Sequence, residues 1–228
     1  MATMTPPLAV DIDGTLTDGE GAVDPRVMTP LREWPEPVVV ATGKALPYPV
    51  ALCSFVGIPT RVVAENGGAA YLVDDDQLTF VGDREAAQRV VTRYREQGYE
   101  PGWGEVDLTN RWRETELAVS LDQPLEPLKE LAAAEGMHVF DTGYAYHVTS
   151  RGVDKGAGLE AVCRRLDRSV DEFAMVGDSE NDAAAFELVG DAYAVANADE
   201  TAKLAADHTT EASYADGFLE ALDAIRSA

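Results

Sequence analysis

A mostly parallel, doubly wound α/β sheet core with an inserted smaller α+β unit is the fold class this sequence predicts, on three observations. Short apolar runs alternate with helical patterns from Leu8 to Ala64 in the order β-α-β-α-β, the signature of a parallel sheet with crossover helices. The same alternation resumes at Lys155 and runs to the end of the chain. Between the two stretches, residues 83–151 read as helix, strand, helix and hairpin. The expected division is therefore a core of residues 1–82 and 152–228 with 83–151 inserted into it.

Each element has a local reason. Leu8-Ala9-Val10 is a short buried strand, and the turn-rich Asp18-Gly19-Glu20-Gly21 after it is a loop. Residues 25–34 read as a helix, with Asp24 as N-cap and Pro25 at the first position. Val38 to Ala41 is a second buried strand, residues 47–56 a helix closed near Gly57, and Arg61 to Ala64 a third strand. Asn66-Gly67-Gly68 turns the chain into a hairpin of residues 69–73 and 78–81. Residues 83–97 carry Ala86, Ala87, Val90, Val91 and Tyr94 at helical spacing and end at Gly98. Residues 115–121 alternate as a strand, 126–135 form a helix closed by Gly136, and 137–140 pair with 144–149 as a hairpin. From Lys155 onward, helices over 155–166 and 181–188 flank a strand at 173–176. A strand at 192–195 and helices over 201–206 and 216–226 complete the chain.

The informative residues stand at strand ends. Asp11 and Asp13 fall at or just past the end of the first strand, where open α/β sheets bind ligands. Two carboxylates this close in a partly buried mouth repel each other, and they stay ionised together only beside a cation. Mg²⁺ with oxygen ligands is the natural candidate next to a phosphate. A simple turn would also use Asp, Gly and Thr. Three further stretches bear on the choice: Thr42-Gly43-Lys44 closes the second strand, Lys155 opens a helix, and Gly177-Asp178-Ser179-Glu180-Asn181-Asp182 closes the strand before it. Taken singly, Thr42 is also a helix N-cap, Lys155 a solvated lysine, and Asp178 and Asp182 a capped helix start.

Together these stretches resemble the haloacid dehalogenase-like phosphatase superfamily, whose four motifs they match in order. Glu65-Asn66-Gly67-Gly68 resembles an extra segment of its sugar-phosphatase-like branch. The resemblance implies that 83–151 is a cap domain. It implies that Asp11 is the nucleophile of an aspartyl-phosphate mechanism and Asp13 the general acid/base. Thr42, Gly43, Lys155 and Asn181 then bind phosphate, and Asp11, Asp13, Asp178 and Asp182 hold Mg²⁺, with Asn181 also a hydrogen-bonding neighbour of the acidic set. Lys44 stands where that branch more often has Arg, and Lys cannot make the bidentate fork. The implied substrate is a small phosphorylated metabolite. Whole-chain layout most resembles the archaeal-type phosphoglycolate phosphatases, so 2-phosphoglycolate is the first expectation. A broad sugar-phosphate phosphatase is the second, and a non-catalytic or phosphorylatable switch protein a third, of a different class. Arg111 and Arg113 flank Trp112 in the irregular part of the inserted unit. They read either as guanidinium donors to a substrate carboxylate or as surface residues.

Composition bounds the partners. The 228 residues carry a net charge of −23, with 41 acidic side chains against 14 Arg and 4 Lys. Such a chain repels nucleic acid and anionic membrane surfaces, so neither is an expected partner. Acidity spread over the whole chain with scarce lysine also suits a cell with molar salt, where the Debye length shrinks to roughly 3 Å. Cys53 and Cys163 lie in apolar or helical segments without metal-ligand spacing and read as reduced, buried thiols. The N-terminus has neither a basic start nor an apolar run, so the cytoplasm is the expected place. Oligomeric state has no signature in the sequence.

Overall fold

The computed structural model describes residues 5–227. Strand β1 (Leu8–Val10) lies near the middle of an eight-stranded sheet. A 3₁₀ turn at Pro25–Val27 leads into α1 (Met28–Arg32), followed by β2 (Val38–Ala41), α2 (Pro47–Val56) and β3 (Arg61–Ala64). Where one continuous helix was expected over 25–34, the chain makes that 3₁₀ turn first. Asp24 does cap it, accepting from the Arg26 amide at 2.8 Å. Pro30 lacks an amide hydrogen to extend a helix begun this early. Strands β4 (Ala69–Leu72) and β5 (Gln77–Phe80) form the hairpin.

The chain then leaves the sheet. Helix α3 (Arg84–Glu96), β6 (Leu117–Ser120), α4 (Leu125–Ala134), β7 (Met137–Asp141) and β8 (Ala145–Ser150) build a second unit around an antiparallel sheet of order β6-β8-β7. Its own core joins the α3 face of Ala87, Val90 and Tyr94 to Leu128 of α4 and Val119 and Val148 of the sheet. The outgoing and returning segments run side by side, since the Asp83 amide donates to Ser150 Oγ at 2.8 Å.

Helix α5 (Lys155–Arg165), β9 (Ala174–Gly177), α6 (Glu180–Phe186), β10 (Asp191–Ala194), α7 (Glu200–Ala205), β11 (His208–Thr209) and α8 (Tyr214–Ser227) complete the main sheet. Its order is β11-β10-β9-β1-β2-β3-β4-β5, parallel from β11 to β3 and antiparallel through the hairpin. Alternation along β1 explains the two covered faces. Leu8 and Val10 pack with Leu31, Cys53, Phe218 and Leu222, whereas Ala9 turns to the layer of Leu159, Val162 and Cys163. Both cysteines are buried and free, and burial pushes their thiols up to about 11 and about 12. Strand β11 was not expected from the sequence. Two exposed residues have no periodicity to detect.

Candidate active site

Strands β1, β2 and β9 are neighbours, so their carboxyl ends open on the same edge of the sheet. That adjacency brings the separate sequence motifs together. Asp11 follows β1 and donates its amide to Val176 O of β9 at 3.0 Å; Thr42 follows β2 and donates to Val63 O at 2.8 Å. Lys155, the first residue of α5, is fully buried, with Nζ 2.6 Å from Asp11 Oδ1 and 2.7 Å from Asp182 Oδ1. The other oxygen of Asp182 caps α6 from within, accepting from the Asp178 amide at 3.0 Å and the Ser179 amide at 3.1 Å.

The carboxylates of Asp11, Asp178 and Asp182 converge, offering oxygens all within 4.8 Å of one another. Burial pushes the Asp11 carboxyl up to about 7, against the pull of Lys155, and the Asp178 carboxyl up to about 9, with Asp11 adding to the rise. Lys155 sits above its ordinary value, because Asp11 and Asp182 outweigh the desolvation that opposes its charge. Asp178 Oδ1 is shut off from solvent with no hydrogen-bond partner among the described residues. A buried, unpartnered carboxylate oxygen is costly, and a cation beside it would offset that cost. Glycine is required beside it. Gly14 has a φ of +74°, and a Cβ there would fall 1.9 Å from Asp178 Oδ2.

Asp13 stands half exposed at the mouth, its Oδ2 3.0 Å from Lys44 Nζ. The Lys44 ammonium also lies 5.6 Å from the Tyr48 ring centre and 5.5 Å from that of Tyr144. Thr42 is buried and its hydroxyl accepts from the Lys44 amide at 3.1 Å. Asn181 Nδ2 donates to Asn66 Oδ1 at 2.9 Å, and Asn181 Oδ1 accepts from Ser179 Oγ at 2.6 Å. The structure thus brings Asp11, Asp13, Thr42, Gly43, Lys155, Asp178, Asn181 and Asp182 to one end of the sheet. Asp182 reaches the acidic cluster with both oxygens already engaged by protein donors.

Over this edge hangs the β7–β8 turn of the inserted unit. A cavity of about 360 Å³ opens between them, lined by Asp11, Asp13, Lys44, Arg113, Tyr144 and His147 among others. Of the two arginines that flank Trp112, Arg111 is exposed, while Arg113 is 4% exposed. The surface reading is therefore wrong for Arg113. Its guanidinium is drawn inside by buried Glu116, by Gly43 O at 2.9 Å and by Thr109 O at 3.1 Å. Sequence reasoning misses Glu116 and His147. The available signal is a carboxylate directly ahead of an apolar strand, Glu116 before Leu117-Ala118-Val119. Glu65 is conspicuous in the sequence as part of its segment, but its role is visible only in three dimensions. It has a left-handed φ of 52° and accepts from the Glu114 amide, the Thr115 amide and Thr115 Oγ1, the last at 2.7 Å.

Known proteins share this arrangement of chain. A family model described as haloacid dehalogenase-like hydrolase matches residues 118–222. A protein of Haloarcula marismortui named phosphoglycolate phosphatase is 62% identical, the match covering 99% of this chain and 100% of the relative. One of the same name from Archaeoglobus fulgidus is 37% identical over 94% of each chain. Among solved structures, the Thermoplasma acidophilum 0175 protein superposes with a TM-score of 0.85 at 26% identity, covering 98% of this chain and 99% of its own. A haloacid dehalogenase-like hydrolase from Bacteroides thetaiotaomicron shares the fold, with a TM-score of 0.77 at 20% identity and coverage of 97% and 100%.

Proposed function

Because the chain belongs to the haloacid dehalogenase-like hydrolases, we propose that it is a phosphatase that hydrolyses 2-phosphoglycolate to glycolate and phosphate through an aspartyl-phosphate on Asp11. The observation that carries this reading is the buried Lys155 bridging Asp11 and Asp182 beside the unpartnered oxygen of Asp178. A switch protein needs no covering unit and no second, proton-carrying aspartate at the mouth.

Lys155 holds Asp11 through Oδ1, which fixes the plane of the nucleophile before substrate arrives. Attack by the Asp11 carboxylate forms its bond to phosphorus as the bond to the ester oxygen breaks. Asp13 delivers a proton to that leaving oxygen. The same residue then takes a proton from water, whose oxygen attacks phosphorus and returns Asp11 to its free form. Thr42 Oγ1, the Gly43 amide and Lys155 offer donors to the transferring group, with Asn181 held against Asn66 alongside.

The acidic set fits a hard divalent cation. Its donors are all oxygens, burial together with the neighbouring carboxylates holds the Asp11 and Asp178 carboxyls above their ordinary value, and one oxygen of Asp178 has no partner among the described residues. Mg²⁺ would be held by Asp11 and Asp178, with the Asp13 residue beside them. Asp182 contributes charge and keeps Lys155 in place, since protein donors already engage both its oxygens. When bound, the ion supplies positive charge that lets the buried carboxylates ionise together and offsets charge on the phosphoryl oxygens.

The relatives named phosphoglycolate phosphatase support the substrate, as do a cavity of about 360 Å³ and the cations on its wall. Among the described residues no helix is long and apolar enough to cross a membrane. We read the protein as cytoplasmic, and its charge of −23 as an adaptation to high salt. The division into a core of 1–82 and 152–228 and a cap of 83–151 is part of the same proposal. The deciding experiment is a panel of phosphate monoesters assayed with purified protein and Mg²⁺. Phosphoglycolate is expected to exceed hexose phosphates in kcat/KM by about tenfold or more, equivalent to about 1.4 kcal/mol. The reverse order makes it a sugar-phosphate phosphatase.

A further inference from the structure

Glu116 is fully buried immediately before β6 and serves three partners at once. Its Oε1 receives Arg113 Nη1 and lies 2.8 Å from His147 Nδ1, and Asn66 Nδ2 donates to Oε2 at 3.0 Å. Burial alone would push this carboxyl up, yet His147 and Arg113 hold it below its ordinary value. Through Asn66, which accepts from Asn181, the cluster is tied to the first turn of α6, which holds Asp182. Through Gly43 O it is tied to the loop after β2. It is therefore fixed relative to the reacting end of the sheet.

A purely structural ion cluster at this depth has its polar atoms satisfied all round. This one does not. Arg113 spends Nε on Thr109 O and Nη1 on Gly43 O and Glu116. Neither Arg113 Nη2 nor His147 Nε2 makes a protein hydrogen bond among the described residues, and both side chains line the cavity shared with Asp11 and Asp13. Lys44, the other cation on that wall, is held by Asp13. We propose that Arg113 Nη2 and His147 Nε2 form the subsite for the carboxylate of the leaving group, with Glu116 as the positioning residue that aims both. The proposal rests on the phosphoglycolate reading and gives its preference a physical source: Arg113 Nη2 and, with His147 as an imidazolium whose Nδ1–H meets Glu116, His147 Nε2 are two prealigned donors that a neutral leaving group cannot use as a carboxylate does.

The test compares 2-phosphoglycolate with 2-hydroxyethyl phosphate, in which a neutral CH₂OH replaces the carboxylate, in the wild-type enzyme with Mg²⁺ and in R113K, H147Q and E116Q. The ratio of the two kcat/KM values is expected to fall at least about tenfold in each variant, mostly through KM for phosphoglycolate. The constant for competitive inhibition by glycolate, read on hydroxyethyl phosphate hydrolysis, rises by about the same factor. Equal losses on both esters, or glycolate inhibition unchanged in R113K and H147Q, overturn the subsite. A wild-type enzyme preferring hexose phosphates overturns the substrate reading alone, and the glycolate constants then still decide the subsite. The variants differ from wild type by one side chain each, and their melting curves identify any that fails to fold. If one does, the glycolate constants of the remaining variants decide between the two outcomes.

Discussion

At the level of single residues, the site is a small set of buried charges held in check by one lysine. Asp11→Asn keeps the shape of the nucleophile and removes its charge, so turnover is expected to fall by at least about 10³-fold with the fold intact. Near-normal turnover in that variant would falsify the nucleophile assignment. Lys155→Met leaves Asp11 and Asp182 facing each other without their cation. The expected cost is about 3–5 kcal/mol in urea unfolding, on top of lost activity. The pH dependence follows from the two raised carboxyls. Their folded values of about 7 and about 9 lie above the unfolded 3.8, so the metal-free protein binds these protons more tightly than the unfolded chain does. Their contribution to stability is complete below pH 3.8 and is lost as pH rises through 7 for Asp11 and 9 for Asp178. Mg²⁺ competes with those protons. Its effect on melting temperature should accordingly be small near pH 5 and grow steadily toward pH 9. A shift of equal size across that range counts against these carboxylates as the metal site.

Elements explain what could be read in advance and what could not. Strand ends were legible because β1, β2 and β9 are short apolar runs that stop abruptly at Asp11, Thr42 and Asp178, and a parallel sheet puts such stops on one edge. Lys155 was legible as the opening residue of α5, although nothing local announces that its side chain is fully buried. The Arg113–Glu116–His147 cluster was not legible. Arg113 and Glu116 come from the segment before β6 and His147 from β8, and the pairing of Ala118 with His147 across β6 and β8 brings them together. The same holds for Glu65, whose three acceptor contacts reach residues about fifty positions away. Those contacts yield a prediction of their own. Glu65→Gln keeps the outline but loses charge-assisted bonds to the segment at 114–115, costing about 1–3 kcal/mol. Amide hydrogen exchange at residues 113–116 should quicken in this variant; unchanged protection there would remove Glu65 as a clamp between the two sheets.

For the molecule as a whole, charge and topology set the behaviour. With a net charge of −23, folding gathers like charges together, and salt relieves that strain by screening. The melting temperature should rise from low to molar KCl; a monotonic fall would refute a salt adaptation. The overall layering was readable from the order of strands and helices, while the two-residue β11 and the 3₁₀ turn at Pro25–Val27 are too short to leave a pattern. One connection has wider meaning. The Asp83 amide meets Ser150 Oγ where the chain departs from the main sheet and comes back to it. Everything between leaves and returns at a single seam. A piece attached in that manner can lengthen, shrink or be exchanged over generations without disturbing the strand order beneath, so under the proposed division into core and cap the machinery of bond cleavage and the taste for a particular ester would be free to be inherited separately.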